Sequence, residues 1–106
     1  MSAIAATLRL DGDVAGTLAV HGELGFATAA LALEGMRSAM ATGALRTLDL
    51  SGVTHGDSAG LACLLAVMAD AARSGQALQL LGLPEHLGVL AQVCGAGPLL
   101  ATPTAA

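Results

Sequence analysis

The chain predicts an α/β sandwich, a mixed sheet of about four strands with its helices mainly on one face. Three observations carry this. Alternating apolar residues flank an Asp11-Gly12-Asp13 turn near the N-terminus. From Phe26 the apolar period changes from two to that of a helix. Between Arg46 and Leu81 a strand, a helix and a strand follow in turn, a βαβ unit whose strands are parallel with a right-handed crossover.

In chain order, Leu8 and Leu10 alternate with Thr7 and Arg9, and Thr17 to His21 alternates again after the turn, which predicts a hairpin. Phe26, Ala29, Ala30, Leu33, Met36 and Met40 fall on one face of a helix over 26–40, and Gly43 can stop it. Arg46 to Leu50 reads as a short strand and Ser51 to Asp57 as a loop. A helix from Ser58 to about Ser74 carries the stripe Leu61, Leu64, Leu65, Met68 and Ala72, with Gly75 as its stop. Ala77 to Leu81 is a further strand. Pro84 suits the first turn of a last helix with the stripe Leu87, Leu90, Ala91 and Cys94, closed by Gly95. The tail from Pro98 to Ala106 is expected to be loose, and residues 1–106 to form a single domain.

Composition excludes several classes. Charged residues make up 11%, against roughly 25% in an average soluble domain. The net charge is −4, and Arg9, Arg37, Arg46 and Arg73 are scattered, so no basic stripe offers itself to nucleic acid. Hydrophobic residues reach 55%, an excess that suits burial against another protein. The longest charge-free run, His86 to Ala106, is interrupted by glycines and prolines and does not read as a membrane span. Met1-Ser2-Ala3-Ile4 has no export-signal pattern, and a cytoplasmic location is expected. Cys63 and Cys94 stand apart without CxxC spacing, as in a reduced protein.

The informative segment is Asp49 to Leu65, DLSGVTHGDSAGLACLL. Asp57 and Ser58 are both cap-type residues, and either side chain can accept an N–H from the first turn of the helix. Gly60 in that turn lets another backbone come close. The positive end of the helix favours anions, phosphate included. Ser58 therefore reads either as a simple N-cap or as a phosphoacceptor and docking contact. A phosphate there would meet Asp57 next door and Asp49 at the expected strand end. Opposite the core stripe, Ala62, Cys63, Ala66 and Val67 form either a flat docking surface continuous with the loop or a run of good helix formers.

Enzyme chemistry is not indicated. His55, Asp57 and Ser58 lie too close in one loop to align as a triad. G-x-S-x-G, P-loop and G-x-G-x-x-G patterns are absent from the sequence. His21 and His86 lack spaced metal-ligand partners. No cofactor or metal is expected, and no pocket for a small ligand or lipid is legible.

Leu48-Asp49-Leu50-Ser51-Gly52-Val53, followed after a short loop by Asp57-Ser58-Ala59-Gly60-Leu61, resembles the motif of STAS domains, the fold of bacterial anti-sigma factor antagonists. Gly22 to Thr28 resembles that family's second-strand-to-helix segment, and Gln79 to Pro84 its last strand and turn. The likeness spans nearly the whole chain. His55-Gly56 departs from the larger, more apolar pair common at that place. Within the family, the short apolar form is most similar to the cytosolic STAS subunit of the ABC transporter that moves phospholipid between Gram-negative membranes. That resemblance implies docking of Thr54, His55, Asp57, Ser58, Ala59 and Gly60, with the following helix, on the transporter's ATPase subunit and through it the permease. The protein would then sit at the inner membrane only through its complex. The family's alternative is a partner-switching antagonist in which an anti-sigma kinase phosphorylates Ser58.

Overall fold

The computed structural model describes the backbone of residues 2–5 and 7–100 and the side chains of 7–100. The elements are β1 (Ser2–Ala5), β2 (Leu8–Asp11), β3 (Thr17–Leu24), α1 (Ala29–Ala41), β4 (Thr47–Gly56), α2 (Ser58–Arg73), β5 (Gln79–Leu81), α3 (Glu85–Val93) and α4 (Gly97–Leu100). The strands form one sheet in the order β1-β2-β3-β4-β5. The expected α/β sandwich is present, and β1 joins the four expected strands at the N-terminal edge.

Alternation builds the hairpin. Leu8, Leu10, Leu18 and Val20 point inward and Arg9 outward, and Leu10 pairs antiparallel with Val20. Asp11 Oδ1 accepts the Asp13 N–H at 2.9 Å, which starts the turn. At the far end of β3, Gly22 has φ +96 and would place a Cβ against the Thr7 carbonyl, so no larger residue fits there. The β3–β4 and β4–β5 pairs are both parallel, as the βαβ reading requires.

The central correction concerns β4. The expected strand ended at Leu50 and the expected loop ran from Ser51 to Asp57, yet β4 continues to Gly56 in register with β3 as far as Leu24↔Gly56. The register shifts between Ala19 and His21 and again between Gly22 and Glu23, each time with an extra β4 residue. Leu48, Leu50 and then Val53 are buried, so the inward phase jumps by one residue at the first bulge. Asp49 Oδ1 accepts from the Ser51 backbone N–H at 3.0 Å and from its hydroxyl at 2.6 Å across that bulge.

The helices cover one face of the sheet. The opposite face presents Arg9, Ser51, Gln79 and Leu81, with Ala19, His21 and Asp49 half-buried. The inward stripe of α1 is Ala32, Met36 and Met40. Phe26, placed on that stripe by its spacing, lies outside the helix and is 88% exposed; Ala30 is exposed as well. Helix α2 buries Leu61, Cys63, Leu64, Val67 and Ala71. Its buried arc is wider than the expected stripe because α1 packs beside it while the sheet lies beneath. Cys63 Sγ lies 3.9 Å from Met36 Sδ, and Arg37 and Arg73 both pair with Asp70, Arg37 Nε at 2.7 Å. Ala72 is exposed, and Leu65 and Met68 are half-buried against the core.

In α3, Leu87 and Ala91 are buried and Leu90 is half-buried. Cys94 leaves the expected stripe because the helix ends at Val93 and Gly95, at φ +72, turns the chain. Strand β5 is shorter than the expected 77–81. The start of the expected loose tail is the short helix α4, whose Leu100 is buried; residues 101–106 lie outside the described residues.

Candidate functional site

Parallel pairing brings the C-terminal ends of β3 and β4 to the same edge of the sheet, so the β3–α1 turn and the β4–α2 junction are neighbours. The Gly25–Thr28 turn is tied down locally. Thr28, 4% exposed, accepts the Gly25 N–H at 3.0 Å through its hydroxyl and donates to the Glu23 carbonyl at 2.8 Å. The Ala29 N–H returns to the Gly25 carbonyl at 2.7 Å. This closed turn delays α1 until Ala29 and leaves Phe26 projecting from the surface.

Asp57 joins the two segments. In extended conformation before α2, its Oδ1 accepts the Ala59 and Gly60 N–H groups at 2.9 and 3.1 Å. Its Oδ2 accepts the Phe26 N–H at 3.1 Å, across 31 positions of sequence. Two glycines permit the approach. A Cβ on Gly25 would stand 2.9 Å from Asp57 Oδ2. A Cβ on Gly60 would overlap the Leu24 carbonyl oxygen and stand 2.8 Å from its carbon.

The helix cap is thus Asp57, not Ser58. Ser58 is the first residue of α2, its side chain is exposed, and among the described residues its hydroxyl makes no hydrogen bond. Hydrogen bonds from the Gly60 and then the Phe26 N–H groups, outweighing desolvation, hold the Asp57 carboxyl below its ordinary value of 3.8. Since the folded pKa lies below the unfolded one, the unfolded chain takes up the proton first as pH falls. The stabilisation is complete above the unfolded value and is lost as pH drops through the folded one. Asp57→Ala should lower Tm by about 5 °C at neutral pH. That margin should hold from pH 7 to 5 and narrow below pH 4 in thermal melts; a margin independent of pH would mean the carboxylate is not the cap.

The predicted docking residues separate into two groups. Thr54, His55, Asp57, Ser58 and Ala62 are exposed and Ala59 and Ala66 half-buried, so these share the edge. Gly60, Cys63 and Val67 are corrected from surface to core, because the close contact with Leu24 and the packing of α1 enclose them. Burial pushes the Cys63 thiol up to about 11. Asp49 is also corrected: it lies in mid-strand at the bulge, eight positions from Asp57 and so roughly 25 Å away along extended backbone.

Phe26 is the surface residue that periodicity misplaced. It is the chain's sole aromatic residue and stands 88% exposed beside Asp57. Reading Thr28 as a helix start after Gly25 would have left it outside α1. His55 Nδ1 lies 3.4 Å from Thr54 Oγ1, and among the described residues no hydrogen bond joins the side chains of His55, Asp57 and Ser58. Within the same residues, no three His, Cys, Asp or Glu side chains converge on a metal site, and no helix is long and apolar enough to cross a membrane.

Comparison with known proteins places this geometry. A family model described as "Mlab, STAS domain" matches residues 4–101. The structure of the Bacillus cell fate determinant SpoIIAA in its phosphorylated form is similar at a TM-score of 0.64, 20% identity and 92% coverage of both chains. That of the anti-sigma factor antagonist SpoIIAA in its unphosphorylated form is similar at a TM-score of 0.66 and 20% identity, covering 92% of this chain and 89% of that one. At this identity the likeness is one of fold. No curated protein matches the chain significantly.

Proposed function

Because the chain belongs to the MlaB-type STAS domain family, we propose that it is a non-catalytic subunit that docks on the ATPase of an ABC phospholipid transporter. STAS domains are regulatory modules that act through contact with other proteins. In this reading the protein stabilises or regulates the ATPase, reaches the permease through it, and lies on the cytoplasmic side of the inner membrane by way of its complex. It thereby serves outer-membrane lipid asymmetry.

The observation that carries the reading is Phe26, an exposed aromatic side chain held beside the Asp57–Ser58 edge by the Phe26 N–H bond to Asp57. An exposed aromatic whose backbone is anchored at this edge suits insertion into a pocket on a protein surface. Low charge agrees with this: a chain with 11% charged residues is better suited to a standing complex than to repeated release into solvent. Native pull-down of the tagged full chain is expected to recover an ABC ATPase and its permease. Recovery of a soluble ATP-binding kinase without an ABC ATPase overturns the reading.

One observation favours a second reading, the partner-switching antagonist. The Ser58 hydroxyl is exposed and unengaged at the N-terminus of α2. A phosphate there adds nearly two negative charges beside Asp57, competes for the same N–H groups and opposes docking. This reading expects a mass gain of one phosphate on Ser58 in cells. Full activity of Ser58→Ala, with the serine never modified, rejects it.

A further inference from the structure

At the end of the sheet opposite Asp57, a cavity of about 410 Å³ opens between α1 and the β2–β3 turn. It lies at the small end of the ~300–1,000 Å³ range of small-ligand pockets. Half-buried Leu31 and Ala39 from α1 make its accessible wall aliphatic, over a floor of buried Leu10, Leu18 and Leu45. Val14, 66% exposed, stands at the mouth with Ala15. The approach of α1 to the sheet is set by Gly35, where a Cβ would collide with Leu10 Cδ1.

Apart from Thr17 at the start of β3, the polar side chains lie on one line. Glu34, Ser38 and Thr42 follow at four-residue spacing along α1, which puts them on one side of the cavity. Thr42 is already engaged: its hydroxyl donates to the Ala39 carbonyl at 2.7 Å and accepts the Ala44 N–H at 3.2 Å. Among the described residues, neither Glu34 nor Ser38 has a side-chain hydrogen-bond partner, and Glu34 is the sole charged side chain lining the space.

We infer that this cavity is a binding site for a small aliphatic ammonium compound, its chain against Leu31, Ala39 and Val14 and its head at Glu34. The aliphatic walls supply most of the binding and are indifferent to the head group. The lone carboxylate sets the order of preference: ammonium over hydroxyl, and hydroxyl over carboxylate, which would repel Glu34. Since Glu34 is solvent-exposed, the preference for amine over alcohol is about two- to fivefold. The site is separate from the docking edge, so it stands or falls independently of the proposed partner.

The test titrates the full chain with octylamine, octanol and octanoate and follows backbone amide shifts by NMR. Saturable shifts centred on the α1–β2 cavity are expected, in that order of affinity. Glu34→Gln should remove the preference for octylamine while leaving octanol binding unchanged. Ala15→Trp, a change at an exposed turn residue, should block all three ligands without altering the thermal melt. Absence of saturable binding, binding at another surface, octanoate binding as well as octylamine, or an amine preference that persists in Glu34→Gln each overturns the assignment.

Discussion

Gly60→Ala is expected to destabilise the protein by about 2 kcal/mol, although alanine is by itself the better helix former by about 1 kcal/mol. Two opposing effects decide the sign. Helix propensity favours the substitution. Against it, the added Cβ would overlap the Leu24 carbonyl oxygen and approach its carbon to 2.8 Å. The obstacle is backbone, which cannot swing aside as a side-chain end can, so overpacking of about 3 kcal/mol wins. Relief requires α2 to retreat from β3, which lengthens the bond from the Phe26 N–H to Asp57 and opens the packing of buried Leu61 and Leu64. Gly88→Ala supplies the control. That glycine lies in α3, and its Cβ would meet only Leu83 Cδ2 at 3.9 Å. The same change there should be neutral or stabilising by up to about 1 kcal/mol. Urea unfolding of both variants reads the difference. Equal effects would show that Gly60 is an ordinary helical glycine.

Phe26→Ala should do the reverse, leaving the fold intact and weakening the complex. The side chain is 88% exposed, so its loss shifts unfolding by no more than about 0.5 kcal/mol. Its backbone N–H still reaches Asp57, because the bond does not involve the ring. As the anchor of the docking edge it should contribute about 2 kcal/mol to association, roughly a 30-fold change in Kd. Calorimetric titration with the ATPase recovered in the pull-down provides the measurement. His86→Ala, an exposed change on α3, serves as the reference surface substitution. Unchanged affinity for Phe26→Ala would remove Phe26 from the interface and with it the chief support for the proposed docking mode.

These two residues also show where the sequence was legible. The βαβ unit could be read because Leu48 and Leu50, then Leu61 and Leu64, then Leu78 and Leu80 change period as strand, helix and strand do. The Asp57–Ser58 junction could be read because cap chemistry is local. The extent of β4 could not. Its bulges break alternation, so Ser51 to Gly56 looks like a loop although Gly52, Val53, His55 and Gly56 pair with β3. Nor could the inner face of α2 be settled, since the chain order does not say that a second helix lies alongside it. Cys63 and Val67 would be peripheral on a helix packed against the sheet alone; with Met36 of α1 against Cys63 they are core.

By itself, then, the sequence determined the α/β class, the order of most elements and the chemistry of the Asp57-Ser58-Ala59-Gly60 turn, because periodicity and capping act within a few residues. Only the tertiary structure decided which oxygen caps α2, which glycine must remain bare and which apolar side chain faces outward. Those outcomes depend on contacts between segments distant in the chain: Phe26 with Asp57, Leu24 with Gly60 and Met36 with Cys63. Parallel pairing of β3 with β4 brings the first two together, and the packing of α1 against α2 creates the third.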